Sequence, residues 1–205
     1  MVGADGLHSK VRELAFPPDS RALRHLGMSG AAFSTPNYLG LDRTGLLRPT
    51  KDTAVFVFDS GVADRLTVSL SFATTSPALD RRGRAEQEQA VRTAFAGHAW
   101  EVPRLLDAMT GSDDFYFAST SQVHLPRWHE GRVVLVGDAG YCAAPTSGMG
   151  TSQALIGART LARQLVTCGD DVEAAFTAYE HELRPYVADN QAKGREAAAF
   201  FGGGA

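Results

Sequence analysis

Cysteine is scarce in this chain: Cys142 and Cys168 are the two among 205 residues. Two thiols make no disulfide framework, and the composition fits a reducing, cytoplasmic setting. Lysine is nearly as scarce, with Lys10, Lys51 and Lys193 alone; none follows a G-x-x-x-x-G, which excludes a Walker phosphate loop. Charge of one sign is lacking too. Twenty basic residues face 23 acidic ones, a net charge of −3, so there is no bulk electrostatic case for nucleic acid or an anionic membrane. No apolar run approaches the roughly 20 residues of a membrane span, and MVGADGLHSK has no apolar signal region. The six histidines are scattered without metal-ligand spacing, which argues against a zinc site. Ser147 lacks the flanking glycines of a nucleophile elbow, which leaves acyl transfer poorly supported.

What is present is a globular balance: 44% hydrophobic, 21% charged, mean hydropathy −0.14. The length allows one large domain or two small ones. Val2 leads straight into a Gly3-Ala4-Asp5-Gly6 turn, and Ser9 to Arg12 read as the first turns of a short helix. From about Arg24 to Thr75 apolar and polar residues alternate. Thr53–Phe58 and Leu66–Phe72 are expected to form an antiparallel hairpin, followed by helices over Arg84–Phe95 and Val102–Met109 and a strand over Phe115–Val123.

The texture changes at Arg127. Val133–Val136 is a short continuous apolar run, the mark of a strand buried on both faces of a parallel sheet. A loop with Pro145, Ser147, Gly148 and Gly150 follows. A long helix from about Thr151 to Val166 is expected next, with Ala154, Leu155, Ala158, Leu161, Ala162 and Leu165 as its apolar stripe. A final helix runs from Val172 through Tyr186, with Pro185 kinking it if it continues to Phe200. The last four residues are glycine-rich. The expected fold class is therefore α/β interrupted by an antiparallel α+β insert.

Gly137-Asp138 is the most informative feature, because ligands of open α/β sheets bind outside the carboxyl ends of strands. A carboxylate there can hold a polyol hydroxyl, and a glycine-rich loop lets backbone approach a flat ligand. The helix starting near Thr151 would aim unpaired N–H groups and its positive end at the same space. The same residues also read as an ordinary turn and loop. Gly148-Met149-Gly150 is not a dinucleotide fingerprint, since Gln153 stands at the place of the last glycine. Cys142 is either a reactive thiol or a filler of the loop.

Val2-Gly3-Ala4-Asp5-Gly6 through Arg12 resembles the Asp-Gly motif of the single-component flavoprotein monooxygenases, the class A, para-hydroxybenzoate hydroxylase-like group. Gly131 through Gly137-Asp138-Ala139, with Pro145 and Gly148-Met149-Gly150, resembles their Gly-Asp motif. The stretch Ala178–Tyr186 is similar to actinobacterial aromatic-polyketide and tetracycline-type oxygenases. This resemblance implies the carboxyl-terminal part of a Rossmann-like FAD-binding domain with an antiparallel-sheet substrate domain inserted. Residues 1–23 would be a remnant of the FAD-binding domain, 24–126 the substrate domain, and 127–205 the return to the FAD-binding domain. It also implies a flavin-hydroperoxide monooxygenase acting on an aromatic or polyketide-like small molecule with NAD(P)H and O2.

The implied cofactor contacts are Asp5, Gly6, Arg12, Gly137, Asp138, Ala139, Pro145, Gly148, Gly150, Thr151 and Ser152. Asp138 would hold a ribityl hydroxyl, Pro145 would lie beside the flavin ring, and the N–H groups around Gly150–Ser152 would face its pyrimidine end. Asp5 and Arg12 would lie near the pyrophosphate. No acid or base is implied. Tyr141, Ser152 and Gly157-Ala158 depart from the common pattern, where His, Asn and Asp-Ala stand. The family also opens with a βαβ unit carrying G-x-G-x-x-G, which these 205 residues do not contain. The expectation is a truncated chain, either because Met1 marks an internal GTG read as a start or because the gene is truncated, completed by a separate N-terminal half or a homo-oligomer. The alternative is a non-catalytic module that binds flavin or an aromatic ligand.

Overall fold

The computed structural model describes residues 1–16, 22–62 and 64–200; the glycine-rich tail lies outside them. In chain order the elements are β1 (Val2–Gly3), α1 (Lys10–Ala15), β2 (Leu23–Pro36), β3 (Gly45–Pro49), β4 (Thr53–Asp59), β5 (Arg65–Ala73) and a 3-10 turn (Pro77–Arg81). Then come α2 (Arg84–Ala94), α3 (Val102–Thr110), β6 (Tyr116–Val123), β7 (His129–Glu130), β8 (Val133–Leu135), α4 (Asp138–Tyr141), a second 3-10 turn (Pro145–Ser147), α5 (Gly150–Cys168) and α6 (Val172–Phe200). The chain forms two compact units, Met1–Arg24 with Ser121–Ala197, and His25–Thr120 with Ala198–Ala205. The second passage between units falls after Thr120, within β6 and ahead of the change of texture at Arg127.

The second unit is built on a five-stranded sheet of order β3-β4-β5-β2-β6. Its central pairings are antiparallel, with Val57 opposite Val68 and Ala31 opposite Leu70. The period-two pattern of β5 decides its faces. Leu66, Val68, Leu70 and Phe72 are buried, while Thr67, Ser69 and Ser71 are half-buried on the other face. Helices α2 and α3 close the apolar side with Val91, Phe95, Val102, Leu105 and Met109. Arg84 donates to the carbonyls of Met109, Thr110 and Ser112, placing a cation at the C-terminal end of α3.

The first unit carries a three-stranded sheet of order β1-β8-β7. β8 pairs with β1 in parallel, as its apolar run predicts, and with β7 antiparallel, so the sheet is mixed. Trp128, Tyr141 and Tyr179 fill its core beside Val134, Leu135, Phe176 and Leu183. Glu180 sits among them as a buried carboxylate. It accepts hydrogen bonds from the Trp128 N–H, from His129 Nδ1 at 2.7 Å and from Arg184 at 2.8 Å. A buried charge is tolerated only when it is paired in this way.

α6 takes the longer of the two expected courses, continuing through Pro185 to Phe200 as one helix of 29 residues, and one expectation about the helices changes. In α5 the buried positions are Gln153, Gly157, Thr160 and Leu161, whereas Leu155 is 67% exposed and Ala158 and Ala162 face outward. The predicted apolar stripe is therefore rotated. Hydrogen bonding and close packing set the inner face: Gln153 Nε2 donates to the Tyr141 carbonyl at 2.9 Å, and a Cβ on Gly157 would lie 2.0 Å from the Tyr141 hydroxyl oxygen. Tyr141 and Gly157 thus fit each other sterically.

Gly157→Ala should cost about 1–3 kcal/mol by overpacking, against a helix-propensity gain of about 1 kcal/mol. Adding Tyr141→Phe removes the clashing oxygen, so urea denaturation of the double variant should recover part of the loss. Simple additivity of the two changes would refute the steric pairing.

Candidate functional site

β1 and β8 run parallel, with Val2 beside Val134 and Gly3 beside Leu135. Two parallel neighbours end on the same edge of a sheet, so Asp5-Gly6 and Gly137-Asp138 leave it side by side. The Val134 N–H donates to the Met1 carbonyl at 3.1 Å and the Val136 N–H to the Gly3 carbonyl at 2.9 Å, which sets this register.

Asp5 and Arg12 are occupied inside the chain. The Asp5 carboxylate accepts from the Ser9 hydroxyl at 2.5 Å and from the N–H groups of Lys10 at 2.7 Å and Val11 at 3.1 Å. The Ser9 hydroxyl above all, with the Val11 N–H, holds this carboxyl below its usual range. Ser9 in turn caps α1 by accepting from the Arg12 N–H at 2.9 Å. The half-buried Arg12 guanidinium donates to the carbonyls of Leu7 and Ala139, each at 2.7 Å. It staples the Asp5-Gly6 turn to the turn that carries Asp138.

Gly137 turns the chain out of β8 at φ +65°, a conformation suited to glycine. Beyond it the chain forms the one-turn helix α4, not the open loop that the sequence suggests, and Asp138 stands exposed at the start of that helix. A Cβ on Gly137 would stand 3.2 Å from that of Ala154, so the beginning of α5 packs directly against this turn. Pro145, Gly148, Thr151 and Ser152 are exposed. No side chain caps α5 and no acidic residue stands in its first turn; the first helical bond runs from Gln153 N to the Met149 carbonyl. The N–H groups of Gly150, Thr151 and Ser152 therefore have no helical partner. A Cβ on Gly148 or Gly150 would meet nothing within 4 Å, so the space before them is open. An exposed carboxylate, a proline and an uncapped helix start thus border one surface, suited to a polyol beside a group that carries negative charge.

The sequence did not reveal what holds this loop. Gln122 Nε2 donates to the carbonyls of Ala143 at 3.1 Å and Gln191 at 2.7 Å, and Gln191 Nε2 to the Val123 carbonyl at 2.8 Å. Thr146 donates to the Gly194 carbonyl at 2.8 Å, and a Cβ on Gly194 would lie 2.1 Å from the Ala143 carbonyl oxygen. The available signal was the spacing along α6: Asn190, Gln191 and Gly194 continue the buried face of Leu183 and Val187. Within the loop Ala144 takes φ +71°, ψ 152°, a region costing about 1–3 kcal/mol outside glycine. Cys142 is a filler: it is 4% exposed, and burial foremost, with Asp138 nearby, pushes its thiol up to about 12.

Arg12→Met should destabilise the chain by about 1–3 kcal/mol in urea denaturation, because two carbonyls lose a charged donor. Arg12→Lys should restore little, since one ammonium cannot reproduce the planar fork. A maleimide at neutral pH should label the half-buried Cys168 first and reach Cys142 only on unfolding, read by peptide mass mapping.

Known proteins resemble the chain over most of its length. A family model described as FAD binding domain matches residues 1–193. A flavin-dependent monooxygenase from an unknown prokaryotic organism is 41% identical over 194 residues, covering 95% of this chain and 50% of that protein. Another, from Legionella longbeachae serogroup 1 (strain NSW150), is 36% identical over 191 residues, covering 93% and 49%. The crystal structure of tetracycline destructase Tet(55) matches with a TM-score of 0.87 at 40% identity, covering 96% of this chain and 52% of that one. The chain spans about half the length of the curated relatives it matches. With a match running from Met1 to Lys193, the chain belongs to the FAD binding domain family.

Proposed function

We propose that the chain holds the ribityl and ring portions of FAD in a monooxygenase that hydroxylates an aromatic or polyketide-like small molecule with NAD(P)H and O2. The observation that carries this reading is the uncapped start of α5 beside the exposed Asp138, with open space before Gly148 and Gly150. The Asp138 carboxylate accepts from ribityl hydroxyls. Pro145 offers a rigid wall to the ring. The N–H groups of Gly150, Thr151 and Ser152 favour negative charge at the ring's pyrimidine end by about 0.3–1 kcal/mol, and more where water is excluded. Gly137 and Ala139 shape the turn, and Arg12 fixes it through the Ala139 carbonyl. Asp5, with Gly6, acts by ordering the neighbouring turn, because its oxygens already accept three hydrogen bonds.

Bound flavin would supply electron transfer and oxygen activation; the chain's own groups bind it, orient it and shape its surroundings. The unit His25–Thr120 is assigned substrate binding. The half-buried row Thr67, Ser69 and Ser71 on its sheet offers hydroxyls to a flat polar ligand. The ADP end of the cofactor is assigned to an N-terminal half outside these 205 residues, because they contain no G-x-G-x-x-G. A cytoplasmic location belongs to the same reading; among the described residues, no helix is long and apolar enough to cross a membrane.

Titration with FAD, followed by quenching of flavin fluorescence, tests the assignment. Binding by the chain, alone or supplemented with the N-terminal segment of a relative, should weaken about tenfold or more in Asp138→Ala, the loss of charge-assisted hydrogen bonds. Asp5→Asn should change it far less. Equal affinity of Asp138→Ala and the parent chain would overturn the role given to Asp138.

A further inference from the structure

A cavity of about 430 Å³ opens in the first unit between the end of β6 and helix α6. None of the residues assigned to the flavin lines it. Leu125, Pro126 and Val187 supply apolar lining, and Arg24, His124 and Gln191 polar lining. Arg184 also lines it, its guanidinium 4.6 Å above the centre of the Trp128 ring. The volume lies within the range of small-molecule sites, which pair apolar walls with a few polar groups in this way.

Its charge is one-sided. Arg184 is matched by Glu180 at 2.8 Å, and that carboxylate is fully committed to Arg184, His129 and the Trp128 N–H. Arg24 is exposed and, among the described residues, forms no ion pair. Arg24 on β2 and Arg195 on α6 both bear on His124; with burial as the larger cause, they push its imidazole down to about 4. The geometry also fixes the tautomer. Gln122 spends its Nε2 on the carbonyls of Ala143 and Gln191, so its Oε1 accepts from His124 Nε2 at 2.9 Å. His124 is thus anchored as a neutral ring whose N–H is spent on Gln122, so the free charged donor at this cavity is the Arg24 guanidinium, from which a negative group would accept charge-assisted hydrogen bonds.

We propose that this cavity binds a small aromatic carboxylate, its oxyanion on the Arg24 guanidinium and its ring against Pro126 and Val187. The site lies outside the flavin assignment and needs no flavin. Its occupant would touch Tyr141, which closes the one-turn helix that begins at Asp138.

Benzoate is the probe, with benzamide as its uncharged match. The two tryptophans are Trp100 and Trp128, so a Trp100→Phe variant leaves Trp128, in the cavity wall, as sole reporter. Calorimetry on the unaltered chain guards against a misfolded variant. Benzoate should give a saturable signal by both methods and benzamide none. Arg24→Gln should weaken benzoate about tenfold, the loss of one charged donor, and Arg24→Lys should retain most of it. Competition by inorganic phosphate would support the site as one that reads the oxyanion; benzoate binding without that competition would support a site that also reads the ring. Equal binding of benzoate and benzamide, an unchanged affinity in Arg24→Gln, or no saturable signal by either method would overturn the proposal.

Discussion

The parallel pairing of Val2-Gly3 with Val134-Leu135 is the constraint on which the candidate site rests. It joins segments more than a hundred residues apart and sends both glycine-aspartate turns off the same sheet edge. Two residues of β1 cannot hold such a register by themselves. Val134 and Leu135, fully buried, anchor one side, and Arg12 closes the far end by bridging Leu7 and Ala139. The two aspartates then diverge in role. Asp5 is turned back into the start of α1, while Asp138 faces outward. The Asp5 turn thus shapes backbone, whereas the Asp138 turn presents a carboxylate.

The loop from Gly137 to Gly150 is held from behind by amides. Gln122, Gln153 and Gln191 reach carbonyls at Tyr141, Val123, Cys142 and Ala143, and Asn190 supports Gln153 at 3.0 Å. Buried amides are costly unless bonded, and here the bonding satisfies the loop carbonyls of Tyr141 and Ala143. The grip also sustains Ala144 in its unfavourable backbone conformation. The inner face of α5 is polar and small because it packs on a loop that needs hydrogen bonds and on the ring of Tyr141.

Electrostatics divides the first unit. At the start of α5 the backbone offers positive partial charge with no side chain to cancel it. In the core, Glu180 is paired with Arg184 and hydrogen-bonded by His129, leaving Arg24 and Arg195 to set the charge around His124. Both regions favour anions by different means: aligned peptide dipoles in one, guanidinium groups in the other.

Much of the architecture was legible in the residues. The alternation in Leu66–Phe72 set its faces, the apolar run at Val133 located the strand before Asp138, and Ser9 marked a helix start. These are local rules, because propensity, period and capping act within a few residues of chain. The two motifs that name the family were likewise visible as strings. The sequence did not determine which face of α5 turns inward, that α6 would run on past Pro185, or that Asp5 and Arg12 would be consumed by hydrogen bonds within the chain. Only the tertiary structure decided those, because each depends on partners distant in sequence: Tyr141 against Gly157, Gln191 against Cys142, Arg12 against Ala139. Periodicity can count apolar residues along a helix, but it cannot register a polar one that is buried because a remote carbonyl requires it.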